Sequence, residues 1–363
     1  MLATRNGVAV MKTNVVPAGA GTVAAIVPVL DEHERLGPCL EGLMAAPAAL
    51  AAIVVVDGGS TDGTQALVRE YAARDARIRL IDAAPVCAGW NGKVWNLACG
   101  LAATSPATTW ILTIDADVQP RPEFIPSLLG HALAARLDAF SAAPRLALSD
   151  ALETALHPAF LATLVYRYGL PGNVATEARD VQANGQCFLV RRELAVANDA
   201  FAAARTSRCD DVTIARHLVR AGARLGFYEG AELSLVRMYG SGRECWSNWP
   251  RSLPLRDEST RALDLAIDLA TVVAVQALPL ATVLAMFLAR RPTTSLFFRL
   301  NLALALARLG VLAGTRRAYA PVSHAYWLAA FMDLPCALRL VRAAFARRQR
   351  WRGRTLVAER SLR

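Results

Sequence analysis

Two aspartates, Asp115 and Asp117, stand at the end of the apolar segment 109–114. A buried strand over this segment would release both carboxylates at one edge of a sheet, where ligands of α/β proteins bind. Carboxylate oxygens in such a place suit Mg²⁺ or Mn²⁺ shared with phosphate oxygens. The cation stabilises the negative charge that develops on a diphosphate leaving group. Because surface loops carry many acid pairs by chance, this pair gains its weight from its place at a strand end.

A further acid, Asp57, ends another apolar segment and precedes the glycines Gly58 and Gly59. Glycines permit a tight turn, and the Ser and Thr residues that follow can cap a helix. Asp57 in this place can accept hydrogen bonds from a bound base. An ordinary turn from strand to helix has the same pattern, so both interpretations stand.

Two more motifs mark the starts of predicted helices. Asp210 and Asp211 precede an apolar helical repeat, and the helix dipole favours their ionised form. A carboxylate there acts as a general base or simply caps the helix. Lys93 follows a glycine turn between Trp90 and Trp95, at a helix start where a phosphate can dock. Core packing also explains Trp95, whereas Lys93 requires an anionic partner.

The elements that must position these groups alternate between short apolar runs and helical stretches, which predicts a doubly wound α/β sheet. Strands are predicted over residues 23–30, 51–56, 78–81, 109–114, 137–141, 186–190, 225–228 and 233–238. Helices are predicted over residues 64–74, 94–103 and 150–168, and from Asp211 onwards. The polar motifs then fall at the carboxyl ends of strands, as ligand sites do in such sheets.

The order and spacing of the motifs over about residues 22–255 resemble family 2 glycosyltransferases with the GT-A fold, which have a mixed sheet. The matching segments are Ile26-Val27-Pro28, Asp57-Gly58-Gly59-Ser60, Gly92-Lys93, Asp115-Ala116-Asp117 and Asp210-Asp211. Within this family, segments 90–95, 237–239 and 351–354 resemble the hopene-associated and carotenoid glycosyltransferases. The resemblance implies a nucleotide-sugar donor, with UDP as the nucleotide, and Mg²⁺ or Mn²⁺ as the cofactor.

The resemblance also implies a role for each motif. The donor-side residues are Pro28 and Asp31 near the nucleotide, Asp57 on its base, Lys93 near the phosphates, and Asp115 with Asp117 on ribose and metal. Asp211 becomes the general base, which takes the proton from an acceptor hydroxyl as that oxygen attacks the anomeric carbon and inverts its configuration. The acceptor-side candidates are Asn184, Gly185, Gln186, Asp210 and Trp249.

Two departures from the family pattern affect this reading. The family usually has Asp-Asp-Gly-Ser where this chain has Asp57-Gly58-Gly59-Ser60, and Glu-Asp where it has Asp210-Asp211. Both keep the acid that the chemistry needs, although the first removes one nucleotide contact. The Gln-x-x-Arg-Trp motif of processive synthases is absent. We therefore expect a single sugar transfer rather than polymer growth.

The C-terminal third carries the membrane signal of this chain, which is 54 % hydrophobic. Residues 269–289 are 21 positions without a charge, enough to cross a bilayer as a helix. Segments 295–314 and 318–338 are apolar but contain polar or charged residues, so they span the membrane or lie in its interface. The preceding residues Trp246, Trp249 and Leu253 share one face of a predicted short helix, which lies at headgroup depth or packs on the catalytic domain.

The formal charge of +10 arises partly from eight arginines in residues 342–363, against one acid. Such a tail is typical of the cytoplasmic side and of binding to anionic lipids, whereas no nucleic-acid module is recognisable. Arg290 and Arg291, directly after the first span, leave the topology open. Residues 1–22 have no sustained apolar run, so we expect a cytoplasmic catalytic domain on a membrane-associated protein. The seven cysteines are scattered and read as reduced thiols.

These observations predict four regions: an N-terminal extension (1–22), a GT-A catalytic domain (23–255), membrane-associated helices (256–341) and a basic tail (342–363). The expected function is inverting, metal-dependent transfer of one sugar to a hydroxyl or carboxyl of a lipid-like acceptor of carotenoid, hopanoid or polyprenyl type. A transferase for a cell-envelope polysaccharide precursor and a non-catalytic nucleotide-binding scaffold remain alternatives. A nucleotide-binding oxidoreductase would need a GxGxxG turn after the first strand, and residues 28–32 contain no glycine.

Overall fold

The computed structural model describes residues 9–207, 209–253, 261–320, 322–345, 348–351 and 354–357. The chain divides into two compact units. The first consists of Met1–Leu146 with Leu170–Arg237, and the second of Ala147–Gly169 with Met238–Arg363. The first unit is therefore interrupted in the sequence by residues 147–169, and the four predicted regions stay a prediction.

The strands are β1 (Val23–Val29), β2 (Leu50–Asp57), β3 (Ile78–Asp82), β4 (Trp110–Thr113), β5 (Val118–Pro120), β6 (Ala139–Ala143), β7 (Arg145–Leu146), β8 (Asn173–Val174), β9 (Phe188–Arg191), β10 (Leu225–Glu229), β11 (Ser234–Val236), β12 (Arg348–Trp351) and β13 (Arg354–Val357). The predicted strands are confirmed, with ends that differ by at most two residues. The short strands β5, β7 and β8 were not expected, because two or three residues carry no periodicity.

The α-helices are α1 (His33–Met44), α2 (Thr64–Arg74), α3 (Gly92–Ala102), α4 (Phe124–Ala134), α5 (Ala151–Tyr168), α6 (Arg192–Ala197), α7 (Asp210–Arg220), α8 (Gly242–Ser252), α9 (Ala262–Ala270), α10 (Leu278–Leu288), α11 (Leu296–Thr315) and α12 (Ala329–Phe345). A π-helical stretch, Thr271–Ala277, joins α9 to α10. The helices predicted over 64–74, 94–103, 150–168 and from Asp211 are confirmed within two residues.

The first unit is built on a mixed sheet of eight strands in the order β3-β2-β1-β4-β9-β6-β10-β8. Strands β3, β2, β1 and β4 run parallel, and β9 is antiparallel to both of its neighbours, β4 and β6. The central strands β1 and β4 and most of β2 are nearly continuous apolar runs because helices cover both faces of such a sheet. In β1, for example, Val23 to Val27 are all buried. The predicted mixed α/β sheet of GT-A type is confirmed.

The second unit is helical over most of its described residues. Within the described part of the chain, two helices are long and apolar enough to cross a membrane: Ala262–Leu288 and Leu296–Ala318. They include the first two apolar segments seen in the sequence. The third segment, 318–338, is divided instead between a 3₁₀ helix (His324–Leu328) and the start of α12. Helix α5 packs against α8 and α12, which explains why residues 147–169 belong to this unit.

The basic tail begins within α12, which continues to Phe345. Strands β12 and β13 then pair as an antiparallel hairpin. Residues 346–347, 352–353 and 358–363 lie outside the described residues, and these include Arg352 and Gly353 of the segment 351–354 that resembles a subfamily motif. The predicted binding of this tail to anionic lipids stays a prediction.

Candidate functional site

The parallel strands bring three of the sequence motifs to one edge of the sheet. β1 pairs with β2 so that Val29 lies opposite Asp57, and it pairs with β4 so that Ile26 lies opposite Thr113. All three strands run in the same direction, so their carboxyl ends meet at the same edge. Asp57 therefore ends β2, and Asp115 lies two residues after the end of β4, on the other side of β1.

Lys93 joins two acid motifs that lie far apart in the sequence. Its Nζ is 2.7 Å from Asp115 Oδ1 and 3.8 Å from Asp210 Oδ2. The α3 N-terminus carries Lys93 because Asn91 caps this helix, its side chain accepting a hydrogen bond from the Lys93 backbone N–H at 3.0 Å. Burial opposes the charge on Lys93, but attraction to Asp115 and Asp210 outweighs it and raises the pKa of Lys93.

Asp117 is the most constrained acid at this edge. Burial, and then repulsion from Asp115 and Glu32, raise the pKa of Asp117 to about 7. Its Oδ1 atom is buried and has no hydrogen-bond partner. A buried carboxylate oxygen without a partner costs free energy that a bound cation recovers. This oxygen, beside the Asp115 carboxylate, fits a divalent cation.

The described residues contain no group of three or more His, Cys, Asp or Glu side chains arranged to hold a metal ion. Mg²⁺ in phosphate-transferring sites is usually held by one or two carboxylates, with the remaining ligands from water and substrate phosphates. Asp115 and Asp117 match that pattern. They are the residues that would hold the cation, with a diphosphate supplying the rest of its ligands.

Asp211 lies at the N-terminus of α7 and accepts three hydrogen bonds. The Gly185 N–H donates to its Oδ2 at 2.9 Å, the Val212 N–H donates to its Oδ1 at 2.8 Å, and the Cys209 thiol lies 3.2 Å from Oδ1. Burial, and then repulsion from Asp210, raise the pKa of Asp211. A raised pKa makes a carboxylate a stronger base once it is ionised, which is the property that proton abstraction requires.

The loop predicted to face the acceptor is folded against Asp211. Ser141 Oγ accepts a hydrogen bond from the Asn184 N–H at 2.8 Å, and the Asn184 side chain bonds to Gln186 Oε1 at 2.9 Å. A Cβ at Gly185 would lie 3.0 Å from Lys93 Nζ and 3.5 Å from Asp211 Cβ, so the backbone of this loop runs close to both charged residues. Glycine allows this close approach without displacing the end of the Lys93 side chain.

The turn after β2 uses the Asp57 carboxylate internally. Asp57 is fully buried and accepts hydrogen bonds from the backbone N–H groups of Gly59 and Ser60 and from Gln65 Nε2. The Ser60 hydroxyl donates to the same carboxylate. Asp57 therefore shapes the strand-to-helix turn, which was the second interpretation of the motif. Its predicted contact with a nucleobase stays a prediction.

Asp31 and Pro28 lie next to this turn. Asp31 has a φ of 53°, which is left-handed backbone, and its Oδ1 accepts a hydrogen bond from the Thr61 N–H at 2.8 Å. Pro28 lies opposite Val56 in the β1–β2 pair. Both residues are thus beside the carboxyl ends of β1 and β2, at the edge that also carries the acids.

Trp249 belongs to the second unit, so its predicted place on the acceptor side is not tested. Its ring lies 3.6 Å from that of His157, centroid to centroid, and 5.7 Å from that of Phe160. Trp249 is 5 % exposed and Leu253 is 4 % exposed. These two side chains are therefore buried, and Trp249 contacts rings of α5 within the second unit.

Asn96 was not predicted from the sequence as a site residue, yet its side chain connects the ends of two strands. It lies one turn after Lys93 in α3 and is 3 % exposed. Its Nδ2 donates to the backbone oxygens of Val29 and Val56, at the ends of β1 and β2. A Cβ at Gly58 would lie 3.1 Å from this Nδ2. Gly58, which stands where the family pattern has its second Asp, thus leaves room for Asn96. The signal in the sequence that could have identified Asn96 is an amide side chain within an otherwise apolar helix.

Comparison with known proteins agrees with this fold and motif order. Residues 24–196 match the model of Glycosyl transferase family 2. The lipopolysaccharide core biosynthesis glycosyltransferase LpsC of Rhizobium meliloti (strain 1021) is 34 % identical over 110 residues, which are 30 % of this chain. The match spans only 37 % of the length of that relative.

Solved structures resemble the chain at lower identity. The mannosyltransferase PcManGT from Pyrobaculum calidifontis, in complex with GDP-Man and Mn²⁺, has a TM-score of 0.50 and 17 % identity over 91 % of this chain and 87 % of its own. Glucosyl-3-phosphoglycerate synthase from Mycobacterium tuberculosis, in complex with Mg²⁺ and UDP, has a TM-score of 0.42 and 20 % identity over 65 % of this chain and 80 % of its own.

The class is thus defined for part of the chain: residues 24–196 match the family 2 glycosyltransferase model, and the fold is similar to that of a solved glycosyltransferase. The family match covers Lys93, Asp115 and Asp117 and ends before the Asp210-Asp211 pair. The two acids on α7 are therefore placed at the site by the geometry of the first unit rather than by the family match.

We expect Asn96→Asp to destabilise the protein more than Asn96→Ala. The alanine variant removes the side-chain donor from the Val29 and Val56 oxygens, of which Val29 O keeps the Gly58 N–H at 3.0 Å, at a cost of about 1–2 kcal/mol in the free energy of unfolding. The aspartate variant adds a carboxylate that faces both oxygens. Urea unfolding at pH 8 measures the difference. The control is Asn198→Asp, whose side chain donates to a carbonyl at a half-buried helix end, and an Asn96→Asp variant as stable as the parent would contradict the bridging role.

Proposed function

We propose that this protein transfers one sugar from a nucleotide-diphosphate sugar, with UDP as the nucleotide, to a lipid-like acceptor, using a divalent cation and inverting the anomeric configuration. One observation carries the proposal. Asp115, which follows β4, and Asp210, at the start of α7, lie far apart in the sequence but both face the Lys93 ammonium at the carboxyl edge of the sheet. A nucleotide-binding scaffold has no need for the α7 pair at this place.

On the donor side, Asp115 and Asp117 would hold Mg²⁺ or Mn²⁺, which neutralises the developing charge of the diphosphate when it is bound. PcManGT was crystallised with Mn²⁺ and GDP-Man, which supports a metal and a nucleotide sugar here as well. Lys93, at the start of α3, supplies a fixed positive charge for the phosphates. Pro28, Asp31 and the turn shaped by Asp57 border the place of the nucleoside.

On the acceptor side, Asp211 is the proposed general base. Its Oδ2 is fixed by the Gly185 N–H, and its second oxygen by the start of α7. An acceptor hydroxyl that gives its proton to this carboxylate becomes a better nucleophile for the anomeric carbon. Asn184 and Gln186 hold the loop that carries Gly185, and Asp210 keeps Asp211 basic through repulsion.

The distribution of buried and exposed side chains on α11, in the second unit, supports membrane association. The buried face of this helix includes Asn301 and Arg308. Leu300 and Leu306 instead are exposed, at 57 % and 58 %. A helix in water has the opposite arrangement, with leucines inside and charged residues outside. Exposed leucines and a buried arginine are instead the arrangement expected for a helix surrounded by lipid.

Three helical segments share this inverted arrangement through one buried polar cluster. Arg308 of α11 makes a two-point ion pair with Asp333 of α12, with Nε–Oδ2 at 2.6 Å and Nη2–Oδ1 at 2.9 Å. Gln276 donates to Asp333 Oδ1 at 2.9 Å. Ionisable side chains within membrane helices face the bundle interior and pair with one another. The cluster therefore fits helices whose outer surface contacts lipid.

Membrane association favours a lipid-like acceptor, since such a substrate resides where the second unit would anchor the protein. The hopanoid, carotenoid and polyprenyl classes remain the candidates from the subfamily motifs. A second candidate, transfer to a cell-envelope glycan precursor, is favoured by the 34 % identity to LpsC, a lipopolysaccharide core glycosyltransferase. A cytoplasmic catalytic domain suits both acceptors, because nucleotide sugars are made in the cytoplasm.

We expect Asp211→Asn and Asp117→Ala each to lower turnover by roughly two or more orders of magnitude, because one removes the base and the other a metal ligand. Membranes that contain each variant are incubated with labelled nucleotide sugars, and the label is measured after lipid extraction. Asp180→Asn, an exposed acid of the same unit, is the control. Full activity of both site variants would refute the enzymatic proposal, whereas label found only in water-soluble products would refute the lipid acceptor.

The pH dependence of the reaction tests the base directly. A general base works only when ionised, and the pKa of Asp211 is raised. Activity should therefore fall as the pH is lowered, with an apparent pKa above the usual value for an aspartate, which is about 3.9. Asp210→Asn removes a like charge and should move this limb to lower pH. The measurement is kcat/KM against pH at saturating Mn²⁺. A limb that stays in place or moves to higher pH would argue against Asp211 as the base.

Flotation with phospholipid vesicles tests the membrane proposal. The parent protein should float with vesicles, and the double variant Leu300→Lys with Leu306→Lys should remain largely in solution. Each lysine at the centre of a bilayer costs about 2.5–3.5 kcal/mol. The matched control is Met11→Lys with Val15→Lys, which changes two exposed apolar residues of the first unit. A parent protein that does not float, or a control that loses binding equally, would exclude lipid contact through α11.

A further inference from the structure

The Lys93 ammonium lies on a carboxylate that the metal also needs. Nζ is 2.7 Å from Asp115 Oδ1, which is the distance of a strong charge-assisted hydrogen bond. Asp210 Oδ2 is 3.8 Å away on the acceptor side. The ammonium thus sits between the acid that would hold the cation and the acid pair that would hold the acceptor.

Backbone geometry fixes the point from which the Lys93 side chain extends and one wall of the space around its ammonium. A Cβ at Gly185 would come within 3.0 Å of Nζ, so the loop at Gly185 forms one wall around it. The Asn91 cap and the Asn96 bridge fix the part of α3 from which the side chain extends. The four-carbon stem is the only flexible link, and it allows the ammonium to move while the helix stays in place.

We propose that Lys93 is a tethered counter-cation that occupies Asp115 in the absence of substrate and leaves it for the diphosphate when metal and nucleotide bind together. This inference rests on the proposed function and describes how the same site is regulated. No bond is made or broken; one ion pair is exchanged for another. Lys93 thereby couples the binding of metal and nucleotide.

Electrostatics gives the exchange its direction. A divalent cation binds carboxylate oxygens at about 2.0–2.2 Å, and it repels an ammonium that already lies on the same carboxylate. Metal alone must therefore displace Lys93 from Asp115 without offering it a new partner. A diphosphate offers that partner, so the nucleotide should strengthen metal binding. By linkage, the metal should strengthen nucleotide binding by the same factor.

The test measures Mn²⁺ binding to the full-length protein without nucleotide, by the loss of the electron paramagnetic resonance signal of free Mn²⁺. Lys93→Met should bind Mn²⁺ roughly tenfold or more tightly than the parent. The chain has one other lysine, Lys12, which pairs with Glu123 at 3.1 Å. Lys12→Met removes the same charge and should leave Mn²⁺ affinity unchanged.

A second comparison separates competition at Asp115 from general repulsion. If Lys93 acts by occupying Asp115, the gain from Lys93→Met should disappear in an Asp115→Asn background, so the two changes should be non-additive. An equal gain in both backgrounds, or no gain at all, would overturn the proposal. The proposed function fails in a different way: the parent protein would then bind no Mn²⁺ even with UDP present and would transfer no sugar.

Discussion

The Lys93 ammonium, 2.7 Å from Asp115 and 3.8 Å from Asp210, is the contact that makes one site out of two groups of acids. Four carboxylates crowded at one sheet edge repel one another, and the raised pKa values of Asp117 and Asp211 record that repulsion together with burial. Lys93, together with Arg35 near Asp117, reduces the cost of holding them together. The remaining negative charge is what a metal ion and a diphosphate complex can satisfy.

The parts of the first unit that look structural serve this contact. Asn91 caps α3 and so sets where Lys93 begins, while Asn96 ties the same helix to the ends of β1 and β2. Gly185 lets the backbone approach both Lys93 and Asp211. Small changes in these supports would move charged atoms by distances that matter for chemistry, since near-attack geometry tolerates little displacement.

The second unit obeys a different physical rule. In the first unit apolar strands fill the core, whereas α11 buries Arg308 and Asn301 beside apolar residues such as Leu312 and leaves Leu300 and Leu306 exposed. The ion pair with Asp333 satisfies the buried charge, which would otherwise be very costly in an apolar bundle. The Lys93–Asp115 pair of the first unit is partly exposed, with side chains 24 % and 28 % accessible, whereas the Arg308–Asp333 pair of the second unit is buried.

The sequence alone determined the parallel part of the sheet, its helices and the strand ends that carry Asp57 and Asp115, because apolar periodicity and glycine turns are local signals. It also determined which acids were candidates. Only the tertiary structure decided that Lys93 pairs with Asp115 and Asp210, that Asp57 is used by its own turn, and that Asn96 bridges two strands. It also decided that residues 147–169 belong to the second unit. These outcomes depend on contacts between segments distant in the chain, and no local pattern encodes which distant partner a charge or an amide will meet.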